Sequence, residues 1–154
     1  MAKITIETIK TLREKTGAGV MEAKKALEES AGDEKKAVAW IQKHGLMRLK
    51  SKKDRKAQEG MISSYVHQGG KVAALVELAC ETDFVARTEE FSNLARELAM
   101  QVASMEPKDV KELLAQEYIR DPLKTIEQLI AEVVSKTGEK IEVRRFVRWE
   151  MGKK

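Results

Sequence analysis

Cysteine is almost absent from this chain: Cys80 is the single one among 154 residues. An intramolecular disulfide is thereby excluded, a structural zinc site is not expected, and a reducing, cytoplasmic setting follows as the default. Long apolar runs are missing too. None approaches the ~20 residues of a membrane span, and Met1-Ala2-Lys3-Ile4-Thr5 lacks the apolar core of a secretory leader. Histidine is scarce. Neither His44 nor His67 has a Cys or His nearby at metal-ligand spacing, and neither has a paired nucleophile. No phosphate-binding loop is present: Thr16-Gly17-Ala18-Gly19 follows no strand and fits neither nucleotide-binding glycine motif, so it reads as a helix–helix turn. No metal, no cofactor and no catalytic constellation is expected, which points away from an enzyme.

What the chain does contain is 42% hydrophobic and 35% charged residues. That balance predicts a soluble, helix-rich protein, since a disordered chain carries fewer apolar residues. Its 29 basic and 25 acidic side chains leave a net charge of +4. The two signs are interspersed along most of the chain, a pattern that permits nucleic-acid binding without arguing for it.

The first stretch predicts three short helices. Ile6, Ile9 and Leu12 recur at helical spacing on one face, and Gly17 is the expected stop. A second helix carries Val20, Ala23 and Leu27 on one side and ends at Gly32. Asp33 is placed to cap a third, which carries Ala37, Val38 and Ile41 and is closed by Gly45. Such a unit buries little apolar area and should be only marginally stable alone. Arg48, Lys50, Lys52, Lys53, Arg55 and Lys56 then face only Asp54, as in a linker or a solvated helix extension. The expected division is a three-helix module over 1–47, a basic linker over 48–58 and a core domain over 59–154.

That core opens with Met61 to His67 and Val72 to Cys80 around Gln68-Gly69-Gly70, a predicted hairpin. The apolar run Val72-Ala73-Ala74-Leu75-Val76 predicts a central, covered strand. Thr88, Glu89 and Glu90 mark the start of a helix whose buried stripe is Phe91, Leu94, Ala95, Leu98, Ala99 and Val102. Pro107 suits the first turn of a short helix with Val110, Leu113 and Leu114. Asp121-Pro122 suits the start of another, with Leu123, Ile126, Leu129, Ile130 and Val133 inward and Gly138 at its end. In the last strand Ile141, Val143, Val147 and Trp149 alternate, while Arg145 and Phe146 break the pattern. A bulge would reconcile this. The fold class is α+β: a helical module, then a small antiparallel sheet covered by helices.

Two features invite functional readings. Cys80, at the end of an apolar strand, is either a buried small hydrophobe or a reactive thiol at an exposed strand end. The segment Glu81-Thr82-Asp83-Phe84-Val85 joins the central strand to a helix. Its aromatic either tucks under that helix and completes the core, or projects as an apolar anchor for a partner beside an acid that can capture an amide or a cation. The basic run supports an alternative function, an accessory protein that binds RNA phosphates with a steep salt dependence. It has no aromatic residues for base stacking.

Cys80-Glu81-Thr82-Asp83-Phe84-Val85 between a strand and a helix resembles a signature of the bacterial translation elongation factor Ts family. So do Leu12-Arg13-Glu14-Lys15-Thr16-Gly17-Ala18-Gly19-Val20-Met21, followed by Lys24-Lys25-Ala26-Leu27, and the ending Gly138-Glu139-Lys140-Ile141-Glu142-Val143-Arg144-Arg145-Phe146. The resemblance implies a ubiquitin-associated-like N-terminal module that docks on the GTPase domain of elongation factor Tu through Arg13, Val20 and Met21. It implies that the Thr82, Asp83, Phe84, Val85 turn enters that domain beside the nucleotide and disturbs the magnesium site, so that GDP leaves. No bond is made or broken, and no nucleic acid or membrane is expected as a partner. Many members of the family are longer, with two core subdomains and a coiled-coil insertion; this chain has room for one core, and its connection from Glu106 to Asp121 is short. A lone small sheet has two exposed edges, so a two-fold homodimer is expected.

Overall fold

The structure, a computed structural model, describes residues 3–153. Met1 and Ala2, part of the segment read above as lacking a leader's apolar core, lie outside the described residues, as does Lys154.

The N-terminal unit is three helices. Helix α1 (Ile6–Thr16) starts in a reciprocal cap between Thr5 and Thr8 and stops at Gly17, which takes the left-handed conformation at φ 71°. Helix α2 (Val20–Glu29) follows at once. Helix α3 (Glu34–Ser51) is capped by the Asp33 carboxylate, which accepts from the Lys36 amide at 3.0 Å. Leu12, Ala23, Ala26, Leu27, Ala37 and Ile41 close a small core between them. Ile6, expected on the buried face of α1, is exposed.

Gly45 does not close α3, as its glycine suggests; the helix runs on to Ser51. Gly45 lies where α3 packs on a later helix, α7 (Ile126–Thr137), with Ala131 and Ser135 opposite it. A helix interior tolerates one glycine when tertiary packing supplies the stability that its propensity lacks.

Strands β1 (Glu59–Val66), β2 (Val72–Cys80) and β5 (Ile141–Glu150) form an antiparallel sheet in the order β1-β2-β5. Between β2 and β5 come helix α4 (Asp83–Ala86), helix α5 (Glu89–Met105), helix α6 (Val110–Ala115), the two-stranded β3 (Glu117–Tyr118) and β4 (Asp121–Thr125), and α7. The β1–β2 turn is the expected hairpin, with Gly69 and Gly70 both at positive φ. Gly60 is required in β1: a Cβ there would stand 2.0 Å from the Leu78 carbonyl oxygen. Helices α5 and α7 cover one face of the sheet, and Phe91, Leu98, Val102, Ile130, Val76 and Leu78 meet in the main core. The stripe expected on α5 is buried throughout. Among the described residues, no helix is long and apolar enough to cross a membrane.

Three further expectations need correction. Asp121-Pro122 begins a strand, not a helix. Helix α7 starts at Ile126 behind a Thr125–Gln128 capping box, and Leu123 is 89% exposed instead of inward. Local proline preference lost here to pairing between β3 and β4, a choice made by cross-strand hydrogen bonds. Pro107 precedes helix α6, whose first turn is held by Asp109 accepting from the Glu112 amide at 2.8 Å. Finally, β2 is central but covered on one face only: Leu75 is exposed on the other.

The bulge in β5 is present. Glu77 pairs with Arg145 and Leu78 with Val143, which leaves Arg144 as the extra residue. One inserted residue reverses the facing of everything after it. Ile141 and Val143 point into the core and Phe146 packs against it, while Val147 and Trp149 turn to the opposite, open face.

Candidate functional site

Strand β2 delivers the chain to a tight surface turn. Cys80 is buried, and its thiol donates to the Thr82 carbonyl at 3.1 Å. Burial, with the nearby Glu139 carboxylate adding, pushes the thiol pKa up to about 11. A thiol so protonated is a small hydrophobe and not a reactive group.

Thr82 is the cap of α4. Its hydroxyl accepts from the Val85 amide at 3.4 Å and donates to the Glu139 carboxylate at 2.7 Å. Asp83 opens the helix, where a negative charge suits the backbone dipoles, and pairs with Arg87 at 3.1 Å. Val85 packs against the main core. Thr88 donates to the Val85 carbonyl at 2.7 Å and accepts from the Phe91 amide at 3.3 Å, so one hydroxyl joins α4 to α5.

Phe84 is therefore the residue the turn leaves outside. It is 78% exposed on a four-residue helix that buries none of its own side chains. Of the two readings open for this aromatic, the one in which it completes the core does not hold.

The turn is braced from the far end of the chain. The Glu139 carboxylate also accepts from the Glu81 amide at 3.2 Å and the Thr82 amide at 2.9 Å. In return, the Glu81 carboxylate accepts from the Lys140 amide at 2.6 Å and from the Arg55 guanidinium at 3.3 Å. These bonds, the Lys140 amide foremost, hold the Glu81 carboxyl below its ordinary range. Sequence reasoning missed both roles. Glu139 lies 57 residues from Thr82, and no periodicity or spacing signal links residues across two elements.

Arg13 lies in the last turn of α1, and Val20 and Met21 open α2 on the other side of the Gly17-Ala18-Gly19 link. Arg13 donates to the Ala18 carbonyl at 3.3 Å, which fixes the Gly17-Ala18-Gly19 link. Val20 and Met21 occupy the first turn of α2, and Met21 is 75% exposed. The side of this turn opens into a cleft of about 600 Å³ between α3 and α7, lined by charges of both signs including Lys15, Glu22, Arg48, Lys124 and Glu132.

The basic run is partly engaged. Arg48 lies in α3, donates to the Ser135 hydroxyl at 3.0 Å and pairs with Glu22, tying α2, α3 and α7 together. The Lys140 ammonium donates to the Lys53 and Arg55 carbonyls at 2.7 and 2.9 Å. His44 stacks on Trp40 at 3.6 Å, one helical turn back, and His67 lies 3.1 Å from the Tyr65 hydroxyl. Among the described residues, no group of three or more His, Cys, Asp or Glu stands together as a metal site would require.

Comparison with known proteins places this geometry in context. The family model described as "Elongation factor TS" matches residues 81–154. A protein named elongation factor Ts from Desulforamulus reducens is 39% identical over 197 aligned positions, spanning 99% of this chain and 91% of the relative. One of the same name from Oleidesulfovibrio alaskensis is 40% identical, covering 99% of this chain and all of the relative. A third, from Nostoc, is 43% identical over 98% of this chain but only 48% of its own length. The 197-position alignments are longer than the chain of 154 residues, so these relatives carry residues that this chain lacks.

Proposed function

The chain belongs to the elongation factor Ts family, and from that premise we propose that it is a guanine-nucleotide exchange factor acting on elongation factor Tu. In this reading the α1–α2 turn docks on the GTPase domain through Arg13, Val20 and Met21. The Thr82–Val85 turn enters beside the nucleotide and disturbs the magnesium site. The chain carries out no bond chemistry and works in the cytoplasm. The observation that carries the reading is Phe84, a large exposed aromatic on a backbone held at both sides. A rigidly presented side chain loses little conformational entropy on entering a pocket.

Exchange is a linkage effect: a factor that weakens GDP binding must itself be bound more weakly when GDP is present. A thousandfold acceleration of release requires about 4 kcal/mol of selective stabilisation of the nucleotide-free path. The test is release of fluorescent GDP from purified elongation factor Tu. Phe84→Ala should slow it by roughly 30-fold if ~2 kcal/mol of anchoring is lost, with melting unchanged because the ring is outside the core. Release that is unaltered by saturating wild-type factor would end this reading. The RNA-binding alternative is weakened by the engagement of Arg48 and Arg55 with Glu22 and Glu81.

The open sheet face supports a second copy of this chain as a further partner. Val66, Ala73 and Trp149 form one cross-strand row, and Ser64, Leu75 and Val147 the next. Trp149 is 70% exposed there. A largely apolar face of this kind suits two-fold pairing, in which the same surface meets itself. Light scattering should find twice the chain mass of 17.4 kDa, and Trp149→Glu should return the protein to monomers. A single-chain species at micromolar concentration would contradict the pairing.

A further inference from the structure

Helix α4 has four residues and buries none of them. A helix of that length has no stability of its own, because nucleation costs more than one turn returns. The direction in which Phe84 points must then be imposed at the two ends of α4. At its C-terminal end Val85 packs on the main core and Thr88 holds the Val85 carbonyl. At its N-terminal end the hold comes from the link before β5. Gly138 ends α7 at φ 74°, and the next residue presents one carboxylate to two consecutive amides and a hydroxyl, those of Glu81 and Thr82. A single carboxylate that takes three donors from two adjacent residues fixes the peptide plane between them as well as its position. The same Thr82 hydroxyl caps α4 through Val85. Glu81 returns the bond to the Lys140 amide, so each turn holds the other's backbone.

We infer that Glu139 is a positioning residue for nucleotide exchange: it acts through Phe84, which it aims by fixing the backbone at Glu81 and Thr82. The inference rests on the reading of Phe84 as the anchor. Its consequence is that loss of the carboxylate leaves the anchor present but misdirected. The rate at saturating factor should fall more than the half-saturating concentration rises, since docking through the α1–α2 turn is untouched.

The experiment measures GDP release from elongation factor Tu across a range of factor concentrations for Glu139→Ala, Glu139→Gln, Phe84→Ala and the two double variants, alongside melting curves. Glu139→Ala should lower the maximal rate roughly three- to thirtyfold, at most the effect of losing the anchor outright, since a small misplacement is costly at a site that depends on orientation. Glu139→Gln keeps the shape and an acceptor oxygen, and should recover part of that loss. In the Phe84→Ala background both substitutions should have no further effect, because there is no anchor left to aim. An equal slowing in both backgrounds, or an unchanged maximal rate in a folded Glu139→Ala protein, overturns the inference. If Glu139→Ala does not fold, Glu139→Gln carries the same comparison, and additivity with Phe84→Ala again refutes it. Exchange that survives Phe84→Ala by itself refutes the anchor reading instead, so the two failures are told apart.

Discussion

The three-helix unit closes on seven buried residues, four of them alanines, whereas the sheet unit closes on nineteen that include Phe91, Leu98, Ile130 and Tyr118. Both units nevertheless present an exposed hydrophobic side chain from the first turn of a helix, Met21 on α2 and Phe84 on α4. They hold it by different means. Met21 stands on a helix of ten residues whose buried face is Ala23, Ala26 and Leu27. Phe84 stands on one turn with no fully buried side chain, where Val85 packs only partly on the main core and Glu139, Thr82 and Thr88 brace the backbone. The contrast teaches that a small core suffices where the presenting helix is long enough to anchor itself. A presenting turn needs a larger core behind it and a bracket of hydrogen bonds around it. The two units are joined through α3, which packs on α7 and is stitched there by Arg48.

The largest test of this contrast is to remove the first unit. A chain beginning near Gln58 should keep the circular dichroism of the sheet unit, melt somewhat lower because α7 loses its α3 neighbour, and lose productive docking on elongation factor Tu. Wild-type affinity in a binding titration would show the module to be dispensable.

Core truncations come next. Phe91→Ala should cost ~3–5 kcal/mol and bring down the sheet unit, as read by urea unfolding. Leu12→Ala should cost ~2–5 kcal/mol but act locally: hydrogen exchange should quicken in α1–α3 while β2 and α5 stay protected. If Leu12→Ala loosens both units together, they form one cooperative structure and the contrast is lost.

A smaller effect of opposite sign is expected where the units meet. A Cβ at Gly45 would lie 3.7 Å from the Ala131 Cβ and 3.9 Å from the Ser135 hydroxyl, an ordinary contact. Gly45→Ala should raise stability by up to ~1 kcal/mol, the helix-propensity difference. A lower melting temperature would show that α3 and α7 need the bare glycine.

The smallest effect concerns acid. The Lys140 amide and the Arg55 guanidinium hold the Glu81 carboxyl below its ordinary value in the folded state, so the unfolded chain binds the proton more readily. Its contribution is complete above that value and is lost as pH falls through the folded pKa. Exchange protection of the Lys140 amide should therefore weaken in acid, as pH falls through the lowered folded-state pKa of Glu81. Glu81→Gln should flatten that dependence, and an unchanged acid profile would place the sensitivity elsewhere.

Much of the fold was legible because it depends on short-range rules. The caps at Thr88 and Asp33, the stops at Gly17 and Gly138, the β1–β2 hairpin and the α5 stripe are all set by residues within one or two turns of each other. The turn at Thr82–Val85 was legible as a connection between strand and helix, and the family resemblance was written in the same residues. Where local preference competed with packing, the sequence misled. Pro122 suggested a helix start and lies in β4, Gly45 suggested a stop and lies inside α3, and Leu123 suggested core and is bare.

By itself, then, the order of residues determined most of the helices and the three long strands, the presence of a single thiol, the bulge in β5 and the two apolar candidates for a partner. Only the tertiary structure decided that Phe84 is outside, that Val147 and Trp149 face away from the core, and that Glu139 brackets the turn. The reason is physical. Caps and periodicity act over a few residues. The side on which a residue lies after a bulge, and the carboxylate that meets an amide 57 positions away, are fixed only when the sheet has closed and the helices have packed on it.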